Sequence, residues 1–184
     1  AMAPAPPVAF GIDIGGSGIK AGLVELATGQ LLTPRRTLST PEPSTPSAVA
    51  GTVQELASAF DVPTSAPIGV TFPAPLRHGV APWVANLDES WVGADVPEVL
   101  GRALRREIVA VNDADAAGYA ESRYGAARDV DGVVLVITLG TGIGSGMLVD
   151  GTLVPNTELG HVEIDGGKAE SGAAATVKNA EGLS

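Results

Sequence analysis

The chain has 184 residues, 45% of them apolar, which is room enough for a sizeable domain with a real hydrophobic core. Its 21 acidic against 11 basic residues give a formal charge of −10 and a sequence pI near 4.5, which argues against nucleic acid or an anionic membrane as the main partner. Cysteine is absent, which removes disulfides, thiolate metal sites and cysteine nucleophiles together and fits a reducing cytoplasm.

Residues 1–7, rich in alanine and proline, have no basic n-region and no long apolar core, so they read as a flexible leader rather than a signal peptide or membrane anchor. Residues 8–14 form a strand ending in Asp13 and the turn Gly15-Gly16-Ser17-Gly18. Alternation then predicts a second strand over 19–26, a turn at Thr28-Gly29 and a third strand over 30–38, an antiparallel meander. Gly16-x-Gly18-x-x-Ala21 nominally matches a dinucleotide fingerprint, but that glycine turn must open a helix, and here a strand follows. No Gly-Lys-Ser/Thr follows the glycines, so a Walker A loop is excluded.

Residues 40–46 carry three prolines and form a loop. Ser47 reads as the N-cap of a helix over 48–60, with Val49, Val53, Leu56 and Phe60 at helical spacing. A buried parallel strand over 67–72 is ended by Pro73, which makes the fold α/β. After a loop-rich stretch to Trp91, Pro97 opens a second helix running to about residue 106, and 108–111 is a short parallel strand delivering Asn112 and Asp113 at its carboxyl end, where α/β folds collect ligands. An alanine-rich helix spans 115–124, and 173–180 has weak helical character.

Residues 132–150 hold the most distinctive pattern. The continuous apolar run 133–137 reads as a buried strand, far too short for a transmembrane helix of about 20 residues, and it empties into Gly140, Gly142, Gly144 and Gly146 before apolar character resumes. A turn this rich in glycine suits backbone amides facing a phosphate or sugar oxygen, and equally a plain tight hairpin. The same device occurs near the start: Gly15 aligns with Gly140, Leu23 with Leu148, Val24 with Val149 and Glu25 with Asp150, which predicts two related half-molecules.

Several side chains are candidates for chemistry. Asp113 is placed to accept a proton from a substrate hydroxyl in phosphoryl transfer, or to cap the helix that follows. Lys20, at the exit of the first glycine turn, suits a phosphate contact or a solvated strand position; Asp13 suits a Mg²⁺ held through water. Glu158 and His161 could grip vicinal sugar hydroxyls, and with His78 the only other histidine a zinc site is disfavoured. Arg102, Arg105 and Arg106 read as the solvated face of the second helix.

Taken in order, Asp13-Ile-Gly-Gly-Ser-Gly-Ile-Lys20, Ala85-Asn-Leu-Asp-Glu-Ser-Trp91, Val111-Asn-Asp-Ala-Asp-Ala-Ala-Gly-Tyr-Ala-Glu121, Leu139-Gly-Thr-Gly-Ile-Gly144 and Glu158-Leu-Gly-His161 resemble the ROK sugar kinases of the actin/hexokinase-like superfamily, most nearly the bacterial polyphosphate-dependent glucokinases and glucomannokinases. The resemblance implies an actin-like (ribonuclease H-like) α/β fold, with a first domain over 8–111 and a second over 112–184 that is shorter than in the family. It implies a sugar kinase using polyphosphate or ATP with Mg²⁺ and no zinc, acting on the 6-hydroxyl of glucose or mannose in the cytoplasm, and a homodimer as in other members. Asp113 would be the general base, and Asn86, Asn112, Glu158, His161 and Glu170 would hold the sugar. Gly15, Gly16, Ser17 and Lys20, with Gly140, Thr141 and Gly142, would bind the donor phosphates. The chain departs from many members in lacking a cysteine-rich zinc element after His161, in carrying Pro73-Ala74 where relatives have Pro-Gly, and in having Ser17 for the usual threonine. The alternative implied by the same resemblance is a sugar-sensing regulator, or a fragment that is catalytically incomplete.

Overall fold

The computed structural model describes residues 7–140, 142–164 and 166–172, so Thr141 and the expected helix over 173–180 lie outside the described residues. The chain divides into two compact units, residues 1–112 and 113–184.

The first unit is a five-stranded mixed sheet in the order β3-β2-β1-β4-β5, made of β1 (Val8–Ile14), β2 (Gly18–Glu25), β3 (Arg36–Ser39), β4 (Ile68–Phe72) and β5 (Ile108–Asn112). β1, β2 and β3 pair antiparallel, and β4 joins β1, then β5, in parallel. Phe10, Ile12 and Ile14 alternate inward along β1 and meet Val70 and Phe72, with α1 (Pro46–Ser58) and α2 (Val96–Leu104) closing the core through Val49, Val53, Leu56, Val96 and Leu100.

Four expectations need correction here. The third strand covers only Arg36–Ser39; Leu31 reaches Val24 through a single bridge, because the β2–β3 connection runs through exposed residues instead of continuing the ladder. The N-cap of α1 is Thr45 rather than Ser47: Thr45 Oγ1 accepts from the Ala48 amide, and Pro46 takes the first helical position, where its missing N–H costs nothing. α2 begins at Val96, capped by Asp95 Oδ1 accepting from the Glu98 amide, and stops at Leu104 because Arg105 turns left-handed at φ 53°. Of the three arginines, Arg102, paired with Glu98, and Arg105 are exposed as expected, but Arg106, beyond the helix end, is half-buried and donates to the carbonyls of Pro63 and Ala66.

In the second unit, α3 (Asp113–Tyr124) starts two residues earlier than expected and lies on a three-stranded antiparallel sheet of β6 (Val133–Leu139), β7 (Ile143–Val149) and β8 (Thr152–Val154). Contact is close because it is glycine on glycine: a Cβ on Gly118 would lie 3.2 Å from the Gly146 Cα. The apolar run of β6 is not buried on both faces. Val133, Leu135, Ile137 and Leu139 are exposed, while the alternate residues share a face with the fully buried Leu148. A short pair, β9 (Glu163–Ile164) and β10 (Gly167–Lys168), follows. Among the described residues no helix is long and apolar enough to cross a membrane.

Candidate active site

In each unit an antiparallel hairpin holds a glycine turn, Gly15 to Ser17 between β1 and β2, and Gly140 with Gly142 between β6 and β7. The first turn is closed by the Gly15 amide donating to the Gly18 carbonyl at 3.0 Å. Thr40 secures it from outside, its hydroxyl on the Gly15 carbonyl at 2.5 Å and its amide on the Ser17 carbonyl at 3.3 Å. Gly16 is needed for close approach: a Cβ there would stand 3.1 Å from the Asn86 Cβ and 3.2 Å from its carbonyl oxygen. The sheet register explains Asp13, which stands opposite Lys20 on β2 and Thr71 on β4. Lys20 Nζ accordingly donates to one carboxylate oxygen at 3.2 Å and the Thr71 hydroxyl to the other at 2.7 Å.

Asn86 belongs to a segment anchored on Ser44. The Asp88 amide donates to Ser44 Oγ and the Trp91 indole N–H to the Ser44 carbonyl, both at 2.9 Å. Trp91 is fully buried edge-on to Phe72, ring centroids 4.9 Å apart. Asp88 caps the turn Glu89–Trp91, and the hydrogen bonds from Ser90 hold its carboxyl below the usual range. Asn112 ends β5 with its side chain buried at 5% exposure.

Asp113 opens α3 and is exposed, with Oδ1 accepting from the Ala114 amide at 2.8 Å. The carboxylate serves the helix start and still presents itself to solvent. Further on, the chain makes a tight turn at Leu159–His161. His161 sits between two carboxylates, Nδ1 3.0 Å from Glu158 Oε2 and Nε2 3.1 Å from Glu170 Oε1, all three side chains about one quarter exposed. Glu170 Oε2 also accepts the Ile143 amide at 3.2 Å, so the network reaches the second glycine turn, where the Gly140 amide donates to the Gly142 carbonyl at 3.0 Å. Burial pushes the Glu158 carboxyl above its ordinary range; His161 pulls the other way, and the charges of Asp113 and Asp115 add to the rise.

The structure thus joins Glu158, His161, Glu170 and Gly142 in the second unit, and Gly16 with Asn86 and Asp13 with Lys20 in the first. Sequence reasoning missed Asp115 and Ser145, which are 2% and 3% exposed. Asp115 Oδ2 accepts the Asn156 amide at 2.8 Å, and Ser145 Oγ accepts the Leu159 amide at 2.9 Å. Burial raises the Asp115 carboxyl as well, opposed by the Asn156 hydrogen bond.

A family model described as "ROK family" matches residues 9–179. A polyphosphate glucokinase of Mycobacterium tuberculosis is 50% identical over 170 residues, 92% of this chain and 63% of that protein. The crystal structure of an inorganic polyphosphate/ATP-glucomannokinase from Arthrobacter sp. superposes with a TM-score of 0.90 at 50% identity, over 97% of this chain and 72% of that one. A ROK glucokinase from Streptomyces griseus, solved with glucose and AMPPNP, superposes with a TM-score of 0.77 at 26% identity, over 92% of this chain and 58% of that one. The chain spans only 63% of the length of the curated Mycobacterium tuberculosis relative, and its mixed α/β fold is that of these actin-like sugar kinases. It belongs to the ROK family.

Proposed function

We propose that this chain carries the acceptor and donor elements of a hexokinase-type phosphotransferase that moves a phosphoryl group from inorganic polyphosphate or ATP to the 6-hydroxyl of glucose, with mannose as a second acceptor. The observation that carries this reading is the carboxylate–imidazole–carboxylate chain of Glu158, His161 and Glu170, in the same unit as the exposed carboxylate of Asp113. Polyol recognition calls for such a set, because each sugar hydroxyl both donates and accepts. The relatives named as polyphosphate glucokinase and as polyphosphate/ATP-glucomannokinase support the same chemistry.

In this reading Glu158, His161 and Glu170, with Asn86 and Asn112, bind the sugar hydroxyls. Asp113 takes the proton of the 6-hydroxyl as its oxygen attacks the terminal phosphorus, and the bond from that phosphorus to the bridging oxygen breaks, the donor leaving one phosphoryl shorter. With the Gly15 and Gly140 amides closing their own turns, the amides of Gly16 and Ser17 in the first turn and of Gly142 in the second take the donor's phosphate oxygens, with Lys20 adding positive charge. Asp13 fits a hydrated Mg²⁺: Lys20 and Thr71 use half of the four lone-pair positions of its carboxylate, and the group is about half exposed. That ion would neutralise charge on the phosphates being separated.

A coupled assay of the whole protein for sugar 6-phosphate, crossing glucose and mannose with polyphosphate and ATP, tests the reading. Turnover with glucose and at least one donor is expected; no turnover with any of the four pairs contradicts it.

A further inference from the structure

Among the described residues three polar side chains are buried, Asn112, Asp115 and Ser145, and two of these three converge on one short segment, residues 156–161. That segment is unusual in its backbone. Asn156 and Glu158 both adopt left-handed conformations, at φ 58° and φ 40°, a region that asparagine tolerates but that glutamate holds only where the surroundings enforce it. The enforcing contacts are visible. Asp115 Oδ2, from the first turn of α3, takes the amide of Asn156 at 2.8 Å. From β7, the Ser145 carbonyl takes the Thr157 hydroxyl at 2.9 Å and Ser145 Oγ takes the Leu159 amide at 2.9 Å.

The last bond comes from outside the turn. A residue in the N-cap position ordinarily turns its side chain back to the exposed amides of its own turn. Glu158 holds that position before Leu159–His161, yet makes no side-chain capping bond; its Oε2 lies on His161 Nδ1 at 3.0 Å instead. Ser145 Oγ, reaching in from β7, satisfies the first amide of that turn, at Leu159. Gly160 completes the fit, since a Cβ there would run into the Ile143 carbonyl on the same strand.

We propose that Asp115 and Ser145 are positioning residues for acceptor-sugar binding: they hold the left-handed turns at Asn156 and Glu158 and satisfy the Leu159 amide from outside the turn, so that the Glu158 carboxylate is presented with His161 to the sugar. The inference rests on the reading above, that Glu158 and His161 contact the sugar.

The test compares Ser145→Ala, Asp115→Ala, Asp115→Asn and Glu158→Gln in the whole protein, reading glucose affinity by calorimetry, KM for glucose and for the donor, and amide hydrogen exchange at Asn156 and Leu159. Ser145→Ala and Asp115→Ala each leave a half-buried amide of the segment without its acceptor. Glucose binding should weaken roughly tenfold in each, with the KM for the donor unchanged and exchange at the uncovered amide accelerated. Asp115→Asn keeps an acceptor oxygen and should restore binding to within about threefold of wild type. If Ser145→Ala and Asp115→Ala lower thermal stability while the folded protein binds glucose as before, and Glu158→Gln weakens binding, the positioning role is overturned and the sugar reading survives. If Glu158→Gln leaves glucose affinity unchanged, both fall. Should Asp115→Ala fail to fold, Ser145→Ala decides the question by the same readouts.

Discussion

Trp91→Phe should be a costly substitution, and the structure sets its size. The indole is fully buried, packs edge-on to Phe72 with centroids 4.9 Å apart and donates to the Ser44 carbonyl at 2.9 Å. Phenylalanine retains the ring contact but vacates roughly 40 Å³, which at about 24 cal/mol per Å³ costs about 1 kcal/mol. It also removes the donor from the Ser44 carbonyl, a further loss of about 1–2 kcal/mol. The sum, about 2–3 kcal/mol, corresponds to a fall in Tm of roughly 4–12 °C for a protein of this size. Urea denaturation should show a lower midpoint with an unchanged m value, since the same surface is exposed on unfolding. Ser44 also receives the Asp88 amide, so loosening it frees the segment that carries Asn86, and glucose binding should weaken along with stability. A loss below about 0.5 kcal/mol, with glucose affinity intact, would refute the anchoring role of the indole.

The Glu158 carboxyl, pushed upward chiefly by burial, makes two pH predictions. Glucose affinity should fall as pH drops through that raised value, at a pH above the ordinary glutamate range near 4.3, because the protonated acid loses acceptor capacity; Glu158→Gln should flatten this limb, and an unchanged profile in that variant would count against the role. For stability the sign is opposite: with the folded-state value raised, the cost of burying the charge is present in full above it and is relieved as pH falls through it, so Glu158→Gln should be more stable than wild type near pH 7 by thermal denaturation. Gly16→Ala should weaken glucose binding about fivefold, the equivalent of roughly 1 kcal/mol, because a Cβ 3.1 Å from that of Asn86 forces the asparagine outward; wild-type affinity would show that Asn86 adapts without loss.

The elements whose signal is local were legible in the sequence. The β1–β2 and β6–β7 hairpins follow from alternation interrupted by glycine, and α2 from a proline in its first turn. Where the outcome depended on distant partners, the sequence was ambiguous. A run of apolar residues cannot tell whether one or both sheet faces are covered, so β6 read as buried although Val133, Leu135, Ile137 and Leu139 are exposed. Ser47 and Thr45 are equally good caps by composition, and Pro46 decides between them only once its helical position is known. The site shows the same division. Asp113, Glu158 and His161 stood out because their residue types carry chemistry, and the structure brings Glu158 and His161 together. Asp115 lay two residues from Asp113 in the same motif and Ser145 inside the glycine string, but their roles depend on a chain reversal some 12–41 residues away, which periodicity does not encode.

The claim that Asp113 is the general base is tested most directly by Asp113→Ala in the whole protein, with glucose 6-phosphate formation and glucose binding measured side by side. Turnover should fall by at least about a hundredfold, the lower end of what a positioned base contributes, while glucose binds within a few-fold of wild type. Near-normal turnover in that variant would contradict the mechanism.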